Sequence, residues 1–168
     1  MTSATFIMYV TASQTWEAVN FEVFPEEGFW FDAPSSAPST RDIAFVGDIV
    51  HDEEITVPIV EGVNLVAYPF SSPVSIQDMN FAESGATGKS NGAKDIINIW
   101  DRDAEEYVRF GLDSDGKWYY MGSGQWSWAN PKTEVVYVFE PGESFMYTAR
   151  DDFTWTVDNP YVSVFAGP

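Results

Sequence analysis

The feature that most constrains the fold is a series of short segments rich in β-branched and aromatic residues, bounded by Gly, Pro, Asn, Asp or Ser. Such segments are typical of β-strands, and their spacing indicates a sandwich or a barrel. None of the longer segments has apolar residues at a helical period. Only residues 77–84 are predicted to make one or two helical turns. The predicted strands are TFIMYV (5–10), EITVPIV (54–60), NLVAYPF (64–70), DIINIW (95–100), YVRFGL (107–112), KWYYM (117–121), EVVYVFE (134–140) and FTWTV (153–157).

Charge and length narrow the possible partners. The 168 residues suffice for one compact domain with a sizeable core. A net charge of -18, from 26 acidic and 8 basic residues, predicts a surface that repels nucleic acid and anionic membranes. No apolar run approaches the length of a membrane span, and residues 1–20 lack the pattern of a signal peptide. We therefore expect no nucleic-acid partner and no membrane insertion, and the chain is either a mature processed form or stays where it is made. The acidic surface fits an extracellular or cell-surface location better.

The lack of cysteine and the single histidine exclude several kinds of enzyme chemistry. There is no cysteine, and His51 is the only histidine, so thiol catalysis, a His-based triad and a multi-His metal site are excluded within one chain. Asp101, Asp103, Glu105 and Glu106 lie within six residues, but a glycosidase needs two carboxyl groups across a cleft, one of them buried. We predict that the chain is not an enzyme and needs no cofactor.

Calcium is the more plausible ligand for the acidic loops, because hard cations bind several carboxylate and carbonyl oxygens. The segment Asp113–Gly116, however, lacks the third ligand and the distal Glu of a full calcium loop. Asp115 and Gly116 instead predict a two-residue hairpin turn, since both residue types tolerate positive φ. No metal site is predicted, and calcium binding stays open.

One element occurs twice. FPEEGFWFDAP (24–34) and EPGESFMYTAR (140–150) align at a fixed offset of 116 residues, which pairs Glu27 with Glu143 and Phe29 with Phe145. This offset predicts a full β-unit over residues 53–168 and only the second part of another over residues 14–52. On this prediction the first unit lacks its front half, which would contain the counterpart of the segment GVNL that begins at Gly62.

A β-unit that lacks strands leaves backbone groups unpaired and an apolar face uncovered. The half-unit can close onto residues 53–168, or the missing strand can come from another molecule. Residues 1–13 supply a candidate, because no Asp or Glu occurs before Glu17 and an uncharged terminal strand suits β-augmentation. The alternative is an ordinary buried strand of its own domain. The predicted assembly strand consists of Thr5, Phe6, Ile7, Met8, Tyr9 and Val10.

Four segments of the sequence resemble a repeated pattern that occurs in other proteins. GVNLVAYPFSSPVSIQDMNF, KDIINIWD, EEYVRFGLDSDGKW and FEPGESFMY resemble a repeated pattern in uncharacterised secreted β-proteins of environmental bacteria, approximately G-W-N-L-x-x-x-P, D-x-I-x-x-W, Y, G-x-W and P-G-x-x-F-x-Y. The resemblance covers residues 62–147 and, partially, residues 21–52; Val63 replaces the preferred Trp and Glu26 the preferred Gly. It implies an exported, non-catalytic β-fold protein of the cell surface.

The sequence thus predicts an all-β, Ig-like sandwich that is incomplete and is completed by the N-terminal strand of another subunit. This architecture resembles pilus-like fibre subunits that polymerise by donor-strand exchange, and it makes copies of the same chain the expected partner. The alternative is a carbohydrate-binding or adhesion module in which Trp118, Trp126 and Trp128 stack on glycans. The same three residues could instead belong to the core or to a subunit interface.

Overall fold

A computed structural model describes residues 6–10, 15–19, 24–28, 51–101, 103–122 and 127–161. Within these ranges the chain is all β, as the sequence predicts, with a single 3-10 turn at Ile76–Asp78. The strands are β1 (Phe6–Val10), β2 (Thr15–Val19), β3 (Glu54–Ile59), β4 (Gly62–Ala67), β5 (Val74–Ser75), β6 (Ile96–Asp101), β7 (Glu106–Leu112), β8 (Trp118–Tyr120), β9 (Val138–Phe139), β10 (Ser144–Ala149) and β11 (Phe153–Asp158).

The largest sheet has five antiparallel strands in the order β4-β10-β6-β7-β8. The described ranges contain three further sheets of two antiparallel strands each: β3 with β11, β5 with β9, and β1 with β2. Buried side chains of the five-stranded sheet, of β3 and β11, and of β5 and β9 belong to one hydrophobic core. The described part of the chain therefore buries one face of a five-stranded sheet against shorter elements.

Strict alternation along the strands separates the two faces of the large sheet. In β10, Phe145, Tyr147 and Ala149 are buried in the core, whereas Met146 and Thr148 are half-buried on the opposite side. We call this opposite side the outer face. It includes the half-buried or exposed side chains of Val63, Leu65, Asn98, Trp100, Tyr107, Arg109, Met146 and Thr148, and the buried Ile96 lies on the same side.

Phe81 lies at the centre of the core. Its ring stacks between Trp155 and Tyr147, with centroid distances of 4.4 and 4.6 Å. The Trp155 indole donates a hydrogen bond of 2.6 Å to the Met79 carbonyl, so its polar atom is satisfied inside the core. The segment after the 3-10 turn thereby fixes β11 to the large sheet.

One strand passes from one sheet to another. Residues 133–135 pair with β8, through hydrogen bonds from Tyr120 N–H to the Thr133 carbonyl and from Val135 N–H to the Trp118 carbonyl. Further along, the Tyr137 carbonyl accepts from Ile76 N–H, and β9 pairs with β5. The predicted strand 134–140 is thus regular only at β9.

The predicted turn after β7 is a hairpin, but not of the expected two-residue type. Leu112 pairs with Trp118, and Asp113 N–H donates to the Lys117 carbonyl, so the connection is longer. Among its residues only Gly116 has positive φ, at 80°. This geometry fits a type I turn followed by one left-handed residue.

Strands β2, β5 and β10 were not among the predicted strands, although β10 lies inside the second copy of the repeated element. The predicted helical segment 77–84 contains one turn of 3-10 helix followed by hydrogen-bonded turns. The Ser75 hydroxyl caps that turn by accepting from Gln77 N–H. No helix in the described ranges is long and apolar enough to cross a membrane.

Candidate functional site

The N-terminal strand is neither free nor part of the large sheet. β1 pairs in antiparallel register with β2, from Phe6 opposite Val19 to Val10 opposite Thr15, and with no other described strand. Thr5, the first residue of the predicted assembly strand, lies outside the described residues. A two-stranded hairpin is only marginally stable by itself in water, so it requires another surface or strand.

An open cavity of about 450 Å³ lies at one end of the core. Its apolar wall is the core side of β6, β7 and β8, where Ile99 and Phe110 are buried and Val108 and Tyr120 are half-buried. We call it the core-end cavity; its lining is Ile99, Trp100, Asp101, Val108, Phe110, Tyr120 and Tyr137. In the part of the chain that the structure describes, the core side of these three strands therefore borders an open cavity.

Tyr137 closes one side of the core-end cavity. Its ring lies 5.9 Å from the Phe110 ring and 4.9 Å from the Phe139 ring. Its hydroxyl donates a short hydrogen bond to Glu143, and burial together with that carboxylate raises the Tyr137 pKa. The hydroxyl therefore stays protonated and holds this wall to the turn at Glu143.

The chain edge beside Tyr137 is apolar and exposed. Val136 and Val138 have exposed fractions of 88% and 49%, while their neighbours Val135, Tyr137 and Phe139 face inward. In an antiparallel ladder the hydrogen-bonding residues alternate. The Tyr137 carbonyl accepts a hydrogen bond from Ile76 N–H on the β5 side. The backbone N–H and C=O groups of Val136 and Val138 therefore point away from β5. No described residue pairs with them there.

The two copies of the repeated element form the same turn. In the first copy Phe24 N–H donates to Glu27 Oε2 at 3.0 Å, and Glu27 N–H donates to the Phe24 carbonyl at 3.0 Å. In the second copy, 116 residues later, Glu140 N–H donates to Glu143 Oε2 at 3.1 Å, and Glu143 N–H donates to the Glu140 carbonyl at 3.0 Å. The repeat predicted from the sequence has matching hydrogen bonds at this position.

Strand β4 lies between these two copies. β10, from the second copy, pairs along one edge of β4. Near the first copy, Ala67 N–H donates to the Glu26 carbonyl at 2.9 Å and Gly28 N–H donates to the Leu65 carbonyl at 3.3 Å. Residues 24–28 of the first copy therefore pair with β4 of their own chain.

Two of the three predicted sugar-stacking residues are unsuited to that role. Trp118 has an exposed fraction of 2% and packs against Phe81, so the expectation is wrong for Trp118. Trp128 is half-buried, with the ammonium of the buried Lys94 3.4 Å from its ring centroid, and its indole donates to the Ser90 carbonyl at 2.7 Å. Trp126 lies outside the described residues.

Charges around Trp128 are paired with aromatic rings and with each other. Burial lowers the pKa of Lys94, whereas Lys132 lies 3.7 Å from the Tyr119 ring and makes a short ion pair with Asp113. Burial alone would raise the Asp113 pKa, but hydrogen bonds from Lys132, Ser90 and the Ser114 backbone lower it to about 2. The Asp113 carboxylate is consequently already bonded to Lys132, Ser90 and Ser114. The segment considered as a calcium loop is a structural turn.

Another buried carboxylate has a structural role. Asp95 accepts hydrogen bonds from Thr87 N–H at 3.0 Å, from the Tyr147 hydroxyl at 2.8 Å and from Arg150 N–H at 2.8 Å. Burial raises its pKa against these hydrogen bonds. The carboxyl group ties the loop before β6 to the end of β10, deep inside the protein rather than at a cleft.

The remaining acidic cluster is a turn. Asp101 accepts from the N–H groups of Asp103 and Ala104 at 2.9 and 3.0 Å, which caps the β6–β7 hairpin, and Glu105 and Glu106 are exposed. In the part of the chain that the structure describes, no three His, Cys, Asp or Glu side chains are grouped to hold a metal ion.

The structure also contains a pair of exposed aromatic residues that was not predicted from the sequence. Trp100 and Tyr107 face each other across β6 and β7, with ring centroids 5.0 Å apart and exposed fractions of 49% and 39%. They lie on the outer face beside a shallow groove of about 510 Å³ lined by Val63, Asn98, Tyr107, Arg109, Met146 and Thr148. Alternation along β6 could have indicated this position, since Ile97 and Ile99 take the other face.

Comparison with protein-family models, with curated proteins and with solved structures finds no match. The resemblance to secreted bacterial β-proteins therefore stays a prediction.

Proposed function

We propose that the chain is a non-catalytic structural subunit of an extracellular, pilus-like fibre and assembles with copies of itself through its N-terminal strand. One observation carries this proposal. β1 pairs only with β2 among the described strands, while the core of the same chain is open at the core-end cavity. A marginal hairpin and an uncovered apolar surface are both stabilised when the strand of one copy enters the core of another.

The distribution of strands supports an incomplete sandwich. Among the described strands, five form one layer, whereas the opposite side has the pairs β3–β11 and β5–β9, the second with two residues in each strand. The edge of β11 is occupied, because Thr156 N–H donates to the Ser84 hydroxyl and the Thr156 carbonyl accepts from the Asn80 amide. The edge at Val136 and Val138 has no such partner among the described residues, which leaves room for an added strand.

Insertion gives a stable joint. Each large apolar side chain that enters the core contributes about 1.5 to 3 kcal/mol, and the main-chain hydrogen bonds fix the strand in place. With two or three such side chains the joint dissociates slowly, as a fibre requires. The alternating sets are Phe6, Met8 and Val10, or Thr5, Ile7 and Tyr9.

Point variants test the proposal. Ile7→Asp and Met8→Asp each place a charge on one face of β1, so the variant whose side chain enters the core should remain monomeric. Val63→Asp is the matched control, because Val63 lies on the outer face with an exposed fraction of 68%. Sedimentation should show polymers for the unchanged chain and the control and none for one β1 variant. Normal polymers from both β1 variants would refute the proposal.

A carbohydrate-binding module is the second candidate, and the exposed Trp100–Tyr107 pair favours it. Exposed aromatic rings stack on sugars, and Arg109 and Asn98 in the neighbouring groove offer hydrogen-bond donors. In affinity gels with embedded polysaccharides, Trp100→Ala should weaken retardation about tenfold, equivalent to about 1.4 kcal/mol, while Val136→Ala should not change it. Equal migration with and without every polysaccharide would remove this candidate.

A further inference from the structure

We infer that the core-end cavity and the edge beside it receive the assembly strand, and that the occupant is β1 of a second copy of this chain. The inference rests on the assembly proposed above and assigns its receiving site. The two parts of that site are the backbone edge at Val136–Val138 and the apolar wall formed by β6, β7 and β8.

The edge supplies the hydrogen bonds. The backbone groups of Val136 and Val138 point away from β5, and both side chains are exposed, so a strand can approach without displacing a described residue. Unpaired donors and acceptors along a strand are a template for another strand. Other edges are less suitable: residues 24–28 cover part of the β4 edge, and Pro58 on β3 has no N–H to donate.

The cavity supplies the apolar contact. A strand added beside β9 continues the layer opposite the large sheet and projects alternate side chains toward Val108, Phe110 and Tyr120. The cavity of about 450 Å³ is open to solvent on one side. Placing two or three apolar side chains in it buries apolar area on both partners, which favours a chain segment over a small polar ligand.

Charge identifies the occupant. Asp101 lines the cavity, and Glu143 is bonded to Tyr137 in its wall, so an acidic segment is repelled there. Residues 1–16 contain no Asp, Glu, Lys or Arg in a chain with a net charge of -18. Among the other described strands without charged residues, β4, β8 and β10 are hydrogen-bonded within the large sheet, and β5 and β9 are only two residues long and pair with each other. β1 has five uncharged residues and lies outside the large sheet, which makes it the fitting segment.

Cysteine cross-linking tests the assignment, since the natural chain contains no cysteine. Full-length Ile7→Cys and Met8→Cys variants are each mixed with full-length Val138→Cys and oxidised during assembly. Opposed residues on adjacent strands lie within disulfide distance. The matched control is Val63→Cys, an exposed valine on the outer face. We expect at least tenfold more cross-linked dimer with Val138→Cys than with Val63→Cys for one of the two β1 variants.

Electron microscopy of the unchanged chain separates two kinds of failure. Filaments without preferential cross-linking at Val138 would overturn the receiving site and leave the proposed assembly intact. Well-folded monomers without filaments would overturn both. Val138→Asp gives a second readout: it should abolish filaments while leaving the unfolding midpoint close to that of Val63→Asp, and normal filaments would contradict the assignment.

Discussion

Asp113 is a buried carboxylate whose charge is retained by its neighbours. Its side chain is 5% exposed, pairs with Lys132 and accepts from Ser114 N–H at 2.6 Å. Lys132 in turn lies over the Tyr119 ring, and the Tyr119 hydroxyl donates to Asp115 at 2.8 Å, which raises the Tyr119 pKa to about 12. Residues that suggest calcium binding in the sequence thus stabilise a hairpin.

The Asp113 charge should make stability depend on pH. Its folded-state pKa of about 2 lies below the ordinary value of 3.8, so its contribution is present above about pH 4 and is lost as the pH falls through 2. Asp113→Asn should lower the free energy of unfolding at pH 7 by up to about 2 kcal/mol. Urea titrations at several pH values measure this, with the exposed Asp103→Asn as control; an equal effect of both variants would contradict it.

One of the differences between the twin turns, Glu26 against Gly142, predicts unequal tolerance of substitution. Gly142 has φ of +83°, whereas Glu26, at the corresponding position, is not among the described non-glycine residues with positive φ. A Cβ on Gly142 would meet no atom within 4 Å, so any cost comes from the backbone conformation alone.

Gly142→Ala should therefore destabilise the protein by about 1 kcal/mol, the cost of an L-residue in the left-handed region. Glu26→Ala, at the twin position, should change stability by less than about 0.5 kcal/mol. Thermal unfolding followed by circular dichroism measures both. A loss at Glu26 equal to that at Gly142 would contradict this account of the turns.

Gln77 stabilises the point where residues 133–139 leave β8 for β5. Its amide accepts from Trp118 N–H at 3.0 Å and donates to the carbonyls of Trp118 and Val135, each at 3.0 Å. Gln77→Glu replaces the donor with an oxygen facing two carbonyls and should cost at least about 2 kcal/mol. Equilibrium unfolding measures it. Glu83→Gln, the reverse change at an exposed position, is the control. An unchanged free energy of unfolding in Gln77→Glu would contradict this role.

Much of the strand pattern was predictable because it depends on local chemistry. β-branched and aromatic residues form β3, β6, β7, β8 and β11 close to their predicted limits. β5 was missed because two residues carry no periodic signal, and the strand switch at Val135 depends on the distant Gln77 side chain. Side-chain amides that complete a ladder are tertiary contacts, which alternation along one segment does not reveal.

The candidate site was only partly predictable. The uncharged N-terminal strand is visible in the sequence as a local property, and β1 is indeed a strand. The prediction that Trp118 stacks on sugars was wrong because residue type alone does not distinguish a core ring from an exposed one. Trp118 is buried, whereas Trp100 is exposed. The core-end cavity joins residues more than thirty positions apart, from Ile99 to Tyr137, and appears only when the sheet is formed.

The molecule as a whole carries a net charge of -18, which opposes contact between copies. The proposed assembly would bring the uncharged residues 1–16 to the joint and leave most of the repulsion between copies elsewhere on the surface.

Salt should consequently promote assembly. Raising the ionic strength from about 0.01 M to about 0.15 M shortens the screening length from about 30 Å to about 8 Å. The critical concentration for polymerisation, followed by light scattering, should fall severalfold over this range. A joint made by ion pairs would instead weaken with salt, so a rise in the critical concentration would contradict an apolar joint.

The most direct test of the account is electron microscopy of the full chain beside a chain that lacks residues 1–12, both at the same concentration and ionic strength. Strand donation predicts filaments from the full chain and dispersed, folded particles from the shortened one. Filaments of the same form from both chains would contradict it.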